Sequence, residues 1–287
     1  MRNTKLAVLA VVAMAVVALG QIPRDGLLAQ YMFTSGSLVD SSSNGRDLQY
    51  YLGQTAVPVK TADRDMTPNN AYHWQFNLSV PFMSDDSGLP IGSSDRTIAF
   101  WCSMSRTADS CQNMVSWGTD RFGSYRTTSF SVVFSHDSLS IQQGNVRMAS
   151  YKVTRTDFPA GGTYNEPWTH VAITIEAGTV KWYINGTIKA TKQILELTTV
   201  ASNYLLIGGF NPRYLQGKLD EVVIYDRPLE SSEVRRLYEP QITSVKRTPT
   251  IKPTTRTTMK NYRVVLNGRT LPSATLTTAT SLRVIER

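Results

Sequence analysis

The residue types that could carry covalent or acid–base chemistry are sparse in this chain and poorly spaced for it. The three histidines, His73, His136 and His170, show no metal-ligand spacing. There is no phosphate-cradling glycine loop and no nucleophile elbow. Two cysteines, Cys102 and Cys111, are too few for a zinc site. They leave two readings: a short hairpin disulfide, worth about 2 to 3 kcal/mol by loop closure, or two buried thiols in different registers. Recognition fits the residue types better than catalysis. Sugar binding asks for exposed aromatic faces beside hydrogen-bonding side chains, usually on loops. The stretch Trp117-Gly-Thr-Asp-Arg-Phe-Gly-Ser-Tyr-Arg126 meets that description through Arg121, Phe122, Tyr125 and Arg126, and Asn211-Pro-Arg-Tyr214 meets it through Asn211, Arg213 and Tyr214. The competing reading packs Phe122 and Tyr125 under their own loop and places Trp117 in the core.

These loops need strands to hold them, and the alternation of residue types supplies strands. In Trp168-Thr-His-Val-Ala-Ile-Thr-Ile175, Val171, Ile173 and Ile175 share one face. After the turn Glu176-Ala-Gly178, Val180, Trp182 and Ile184 repeat the pattern, and Asn185-Gly186 then signals a hairpin into Thr187–Thr191. Strands are also expected at 97–104, 111–117, 204–209 and 215–225, with the cysteine-bearing pair adjacent. Val234, Leu237 and Tyr238 stand at i, i+3 and i+4 and mark one short helix between Pro228 and Tyr238. Such a meander, apolar on one face and polar on the other, is expected of an all-β sandwich. Two sequons, Asn77-Leu-Ser79 and Asn185-Gly-Thr187, are candidate glycosylation sites, Asn185 at a hairpin tip.

Charge and hydropathy divide the chain further. Arg2 and Lys5 precede an uncharged run from Leu6 to Leu19 that ends at Gly20, the layout of a signal peptide with cleavage near Ala18-Leu19-Gly20. The run is shorter than the roughly 20 apolar residues of a spanning helix. A secreted or cell-surface protein is therefore expected. From Val245 onward there are nine Lys or Arg and one acid, which accounts for the whole net charge of +8 and leaves 21 basic and 21 acidic residues elsewhere. The folded part is therefore not a nucleic-acid binder by charge. Residues 245–260 read as a basic Thr/Pro-rich linker. Residues 261–287 read as a β-prone basic tail, either a small hairpin around Asn267-Gly268 or an unstructured segment, suited to an anionic polymer or surface, or to self-association by strand addition. The expected organisation is a leader at 1–20, a sandwich at 21–244, the linker and the tail.

Four blocks resemble the laminin-G-like jelly rolls of the concanavalin A-like lectin/glucanase superfamily. They are Gly26–Phe33 with Val39-Asp-Ser-Ser-Ser-Asn-Gly45; Thr97-Ile-Ala-Phe-Trp101; Trp168–Ala172 through Trp182-Tyr-Ile-Asn-Gly186; and Ile207-Gly-Gly209 with Gly217-Lys-Leu-Asp-Glu-Val222 and the closing helix. The resemblance implies a two-sheet antiparallel jelly roll. It also implies a structural Ca2+ held by Asp40, Asn44, Gly45 and Asp220, set against turn hydrogen bonding by Asp40 and Asn44 and pairing of Asp220 with a base. His170 falls where the family often carries a structural histidine. Two departures stand out: Glu230 replaces the usual Ser or Thr before the helix, shifting the expected start to Ser231 or Ser232, and Val80–Ser94 reads as an inserted loop. The Glu-x-Asp-x-(x)-Glu strand of the glucan-cleaving members is absent. The functional expectation is a non-catalytic module that binds a glycan or surface glycoprotein, with a structural component of an extracellular layer, appendage, matrix or particle as the alternative and a glycoside hydrolase or lyase as the third.

Overall fold

Period-two alternation builds two antiparallel sheets in the computed structural model, which describes residues 22–51, 56–75, 79–104, 111–119, 128–135, 137–158, 167–200, 204–210 and 213–239, with short strand segments at 262–263, 265–266, 269–270 and 285–286. The strands are β1 (Leu27–Tyr31), β2 (Gln49–Tyr50), β3 (Val59–Thr61), β4 (Ala71–Trp74), β5 (Phe82–Asp85), β6 (Arg96–Met104), β7 (Gln112–Thr119), β8 (Phe130–Ser135), β9 (Ser138–Gln143) and β10 (Val146–Lys152). They continue with β11 (Thr169–Glu176), β12 (Thr179–Ile184), β13 (Thr187–Gln193), β14 (Tyr204–Ile207), β15 (Gly209–Phe210), β16 (Arg213–Tyr214) and β17 (Gly217–Tyr225), and helix α1 (Ser231–Tyr238) closes the unit. Sheet I runs β13-β12-β11-β6-β17-β4-β3, with β1 also on β17, and sheet II runs β10-β9-β8-β7-β14-β5-β2. This is the expected jelly-roll sandwich.

The core lies between the sheets. Ile98, Phe100, Val171, Ile173, Val180, Trp182, Leu219 and Ile224 enter it from sheet I, and Val115, Trp117, Phe130, Val132, Ile141 and Leu205 enter it from sheet II. Each buried side chain of this size contributes about 1.5 to 3 kcal/mol. The segment expected as an inserted loop contains β5, and Phe82 within it is fully buried. Its polar neighbours Ser84, Asp85 and Asp86 hide a two-residue apolar signal too short for periodicity to reveal. Of the two readings of the cysteines, the structure shows free thiols rather than a bridge. β6 and β7 are not hairpin partners but belong to opposite sheets. Cys102 therefore points into the core, while the Cys111 thiol lies 3.2 Å from Ser135 Oγ.

The helix opens at Ser231. Its cap is Glu230, whose carbonyl accepts the Glu233 and Val234 amides, while Glu233 Oε2 reaches back to the Glu230 amide at 3.0 Å. The chain divides into the unit Pro23–Tyr238 and a second unit formed from its two ends. In the second unit Val265 pairs with Thr270 and Leu266 with Arg269, and Tyr262–Arg263 pair with Ile285–Glu286.

Two close contacts lock the sandwich. Gly208 has φ +99°, and a Cβ there would lie 2.0 Å from Trp74 Nε1, the atom that donates to Val80 O. Asp157 is buried and accepts hydrogen bonds from Tyr151 OH at 2.6 Å and from the Thr154 amide at 2.9 Å, and pairs with Lys189 of β13 at 2.9 Å, tying the edge of one sheet to the edge of the other. Burial alone would raise the Asp157 pKa, but these donors outweigh it and hold the carboxyl below its ordinary value. Gly208→Ala is expected to cost about 3 kcal/mol by overpacking at a positive φ, measured by denaturant unfolding. Asp157→Asn is expected to cost about 2 kcal/mol at neutral pH. Because the folded pKa is depressed, that stability is present above the unfolded value of about 3.9 and is lost as pH falls toward the folded one. Melting curves of the two proteins should therefore converge in acid.

Candidate ligand-binding site

Of the loop residues expected to bind a ligand, Arg121, Phe122, Tyr125, Arg126 and Asn211 lie outside the described residues, as does Asn77. Arg213 and Tyr214 form β16, paired with β15. Trp117 is fully buried in the core. Asn185 sits at the expected β12–β13 turn with φ +50°, half-buried, its Oδ1 accepting the His170 amide at 2.9 Å.

The four expected calcium ligands do not form a cation cage. Asp40 is buried, and its oxygens accept the amides of Gln30, Ser42 and Arg46 and the hydroxyl of Ser42 at 2.7 to 3.1 Å. Asn44 turns its Nδ2 toward the Leu27 and Leu28 carbonyls. A carboxylate surrounded by N–H and O–H donors is an Asx-turn acceptor. Asp220 faces Arg64 rather than this turn, and no group of three or more His, Cys, Asp or Glu suited to a metal occurs among the described residues.

The outer face of sheet II carries a different arrangement. Once Phe130, Val132, Leu139 and Ile141 enter the core, alternation sends Ser131, Val133, Ser140 and Gln142 outward. Strand register then aligns them. Met83 faces Leu206, Leu206 faces Ser116, Ser116 faces Ser131, Ser131 faces Gln142, and Gln142 faces Arg147. A second row runs Asn113, Val133, Ser140 and Ser150. Asn113 Nδ2 donates to Ser116 Oγ at 3.0 Å, and Ser140 Oγ donates to the Val133 carbonyl at 3.2 Å. Beside this polar patch Tyr51, Met83 and Leu206 form a small apolar cluster, flanked by Val80 and Tyr204. The centre of the patch is buried, with Ser116, Ser131 and Ser140 at 0% exposure, and Ser131 Oγ has no hydrogen-bond partner. Sheet II has one acidic residue among its described strands, Asp85 at the end of β5. The pair of facing carboxylates that glycoside hydrolysis requires is therefore missing from these strands. None of this face was singled out in the sequence, although the alternation in Phe130-Ser-Val-Val-Phe-Ser135 and Ser138-Leu-Ser-Ile-Gln142 carries the signal.

The outer face of sheet I is closed instead. Asp63 accepts the Asp65 and Thr67 amides and so shapes the turn that presents Arg64. The Arg64 guanidinium lies 4.5 Å from the centre of the Trp101 ring, 2.8 Å from Glu221 Oε1 and 3.7 Å from Asp220 Oδ2. Two consecutive residues meet one cation because β17 bulges there, with Glu221 at φ +48°. Tyr238 of α1 stacks on Trp101 at 5.7 Å, and His170 meets Trp101 edge-on at 5.3 Å. Burial, then Arg64, lower the His170 pKa to about 3, so it is neutral, in keeping with the structural role expected of it. Burial raises both carboxyls of the Asp220–Glu221 pair, Asp220 further through its neighbour, while Arg64 opposes the rise. A raised folded pKa gives stability that is full below the unfolded value and lost as pH rises through the folded one. Arg64→Met removes the opposing cation, so it is expected to cost about 3 kcal/mol at pH 8 and distinctly less at pH 5, read by urea titrations at both pH values.

A family model described as the concanavalin A-like lectin/glucanases superfamily matches residues 82–235. No curated protein matches the sequence. Among solved structures, the receptor-binding domain of botulinum neurotoxin D is 14% identical with a TM-score of 0.55, covering 77% of this chain and 54% of that one. The serotype D ligand-binding domain in complex with N-acetylneuraminic acid is 14% identical with a TM-score of 0.57, over 79% and 53%. The binding domain of Paraclostridial Mosquitocidal Protein 1 is 20% identical with a TM-score of 0.53, over 75% and 52%. The chain thus spans about half the length of each, and the likeness is one of fold. With the family model covering more than half of its residues, the chain belongs to the concanavalin A-like lectin/glucanases superfamily.

Proposed function

We propose that this protein is a non-catalytic glycan-binding module, secreted or held at a cell surface, whose ligand occupies the outer face of sheet II. The observation that carries the reading is the row of hydroxyl and amide side chains beside an apolar cluster, with Ser131 Oγ buried and unpartnered in its midst. A buried polar atom without a protein partner costs about 1 to 3 kcal/mol and is ordinarily satisfied by water or a ligand. Sugars present the matching surface: hydroxyls that donate and accept, and an apolar ring face. The leader-like N-terminus supports export. The structural neighbours support the ligand class, since one is in complex with N-acetylneuraminic acid and cell entry of another, botulinum neurotoxin type C, depends upon interaction with two ganglioside molecules.

Because the row is buried, a ligand must displace whatever lies over it, and association is expected to be slow, below about 10⁵ M⁻¹ s⁻¹. Ser131→Ala separates binding from folding. The hydroxyl contributes no hydrogen bond to the fold, so the variant is expected to melt at or slightly above the parent temperature. On a glycan array it should lose tenfold or more in affinity for any ligand the parent binds. Unchanged affinity of the variant, or a parent that binds no glycan, would reject the proposed site or the proposed function respectively.

A further inference from the structure

Arg147 ends the outer row of sheet II. Register places it directly across from Gln142, and the bulge between Arg147 and Ala149 sends Met148 and Ala149 toward the core while Arg147 stays on the outer face with Gln142. It is exposed and pairs with no carboxylate among the described residues, whereas Lys152, the other cation of β10, is held by Asp137 at 3.1 Å. One line across five strands thus passes from apolar Leu206 through Ser116 and Ser131 to Gln142 and ends on the exposed Arg147 guanidinium. At about 4.8 Å between strands the line is about 19 Å long, enough for a short oligosaccharide laid across the strands.

Resting on the glycan-binding reading above, we infer that the ligand is an acidic glycan, with a carboxylate or sulfate seated on Arg147 and its neutral sugars on the Ser116–Gln142 row. The graded chemistry of the line sets this polarity. A planar guanidinium offers paired N–H donors that match a carboxylate or sulfate, and no described carboxylate pairs with it. The neutral middle of the row cannot itself select for charge, so selectivity between acidic and neutral chains rests on this one side chain.

The test uses the full chain and pairs of glycans that differ only in a terminal carboxylate or sulfate, with Arg147→Gln and Ser131→Ala beside the parent protein. Arg147 is exposed, so Arg147→Gln is expected to keep the parent melting temperature. The parent should prefer the acidic member of a pair at least tenfold, and the preference should shrink as salt is raised from 50 to 500 mM. Arg147→Gln should abolish the preference while retaining the weaker neutral binding, and Ser131→Ala should weaken both members alike. A parent that binds acidic and neutral members equally, or an Arg147→Gln variant that keeps the preference, overturns the inference and leaves glycan binding standing. A parent that binds neither member of any pair overturns both.

Discussion

The shared core between the two sheets is the constraint to which the rest of the molecule answers. Trp74, Trp117 and Trp182 are wholly buried in it, and packing at interior density fixes which residue of each strand faces inward. Because strand side chains alternate, fixing the inner set also fixes the outer set, since a slip of one residue would exchange the two. The row on sheet II is therefore a consequence of core packing. Phe130 and Val132 cannot enter the core without turning Ser131 away from it.

The two outer faces are finished in different ways. Sheet I is covered by α1 and by the turn that carries Arg64, with a cation, an aromatic stack and two carboxylates satisfying one another over Trp101. The bulge at Glu221 is the local strain that makes this possible. It bends β17 so that neighbouring acids meet one guanidinium instead of pointing to opposite faces. Sheet II keeps small hydroxyls and amides on its outer face, with Ser131 Oγ left over. Both faces keep a buried polar atom without a partner, Trp101 Nε1 and His170 Nδ1 on sheet I and Ser131 Oγ on sheet II; what sets sheet II apart is its row of hydroxyl and amide side chains in place of paired charges and stacked rings.

The turn around Asp40 shows how similar residues serve different chemistry. Its carboxylate is saturated by donors from its own turn and from β1, which makes it a fastener between the first strand and the loop that follows. A divalent cation would need the same lone pairs and a ring of further oxygens. Asp220, the partner expected to complete that ring, is engaged by Arg64 instead.

The amino-acid sequence alone determined the class of fold, the β11–β12–β13 meander, the Asn185-Gly186 turn and the short closing helix, because each rests on local alternation, helical spacing or turn chemistry. It did not determine which strands share a sheet. Cys102 and Cys111 looked like neighbours on one hairpin because they are close in sequence, yet the chain crosses between sheets there, and only the packed structure separates them. β5 was hidden for a related reason, since a strand of four residues carries too little periodicity to stand out from Ser, Asp and Gly around it. Tertiary structure likewise decided the candidate site. Ser116, Ser131, Gln142 and Arg147 are scattered along the chain, and what joins them is the register of four strands, set by the core side chains on the opposite face.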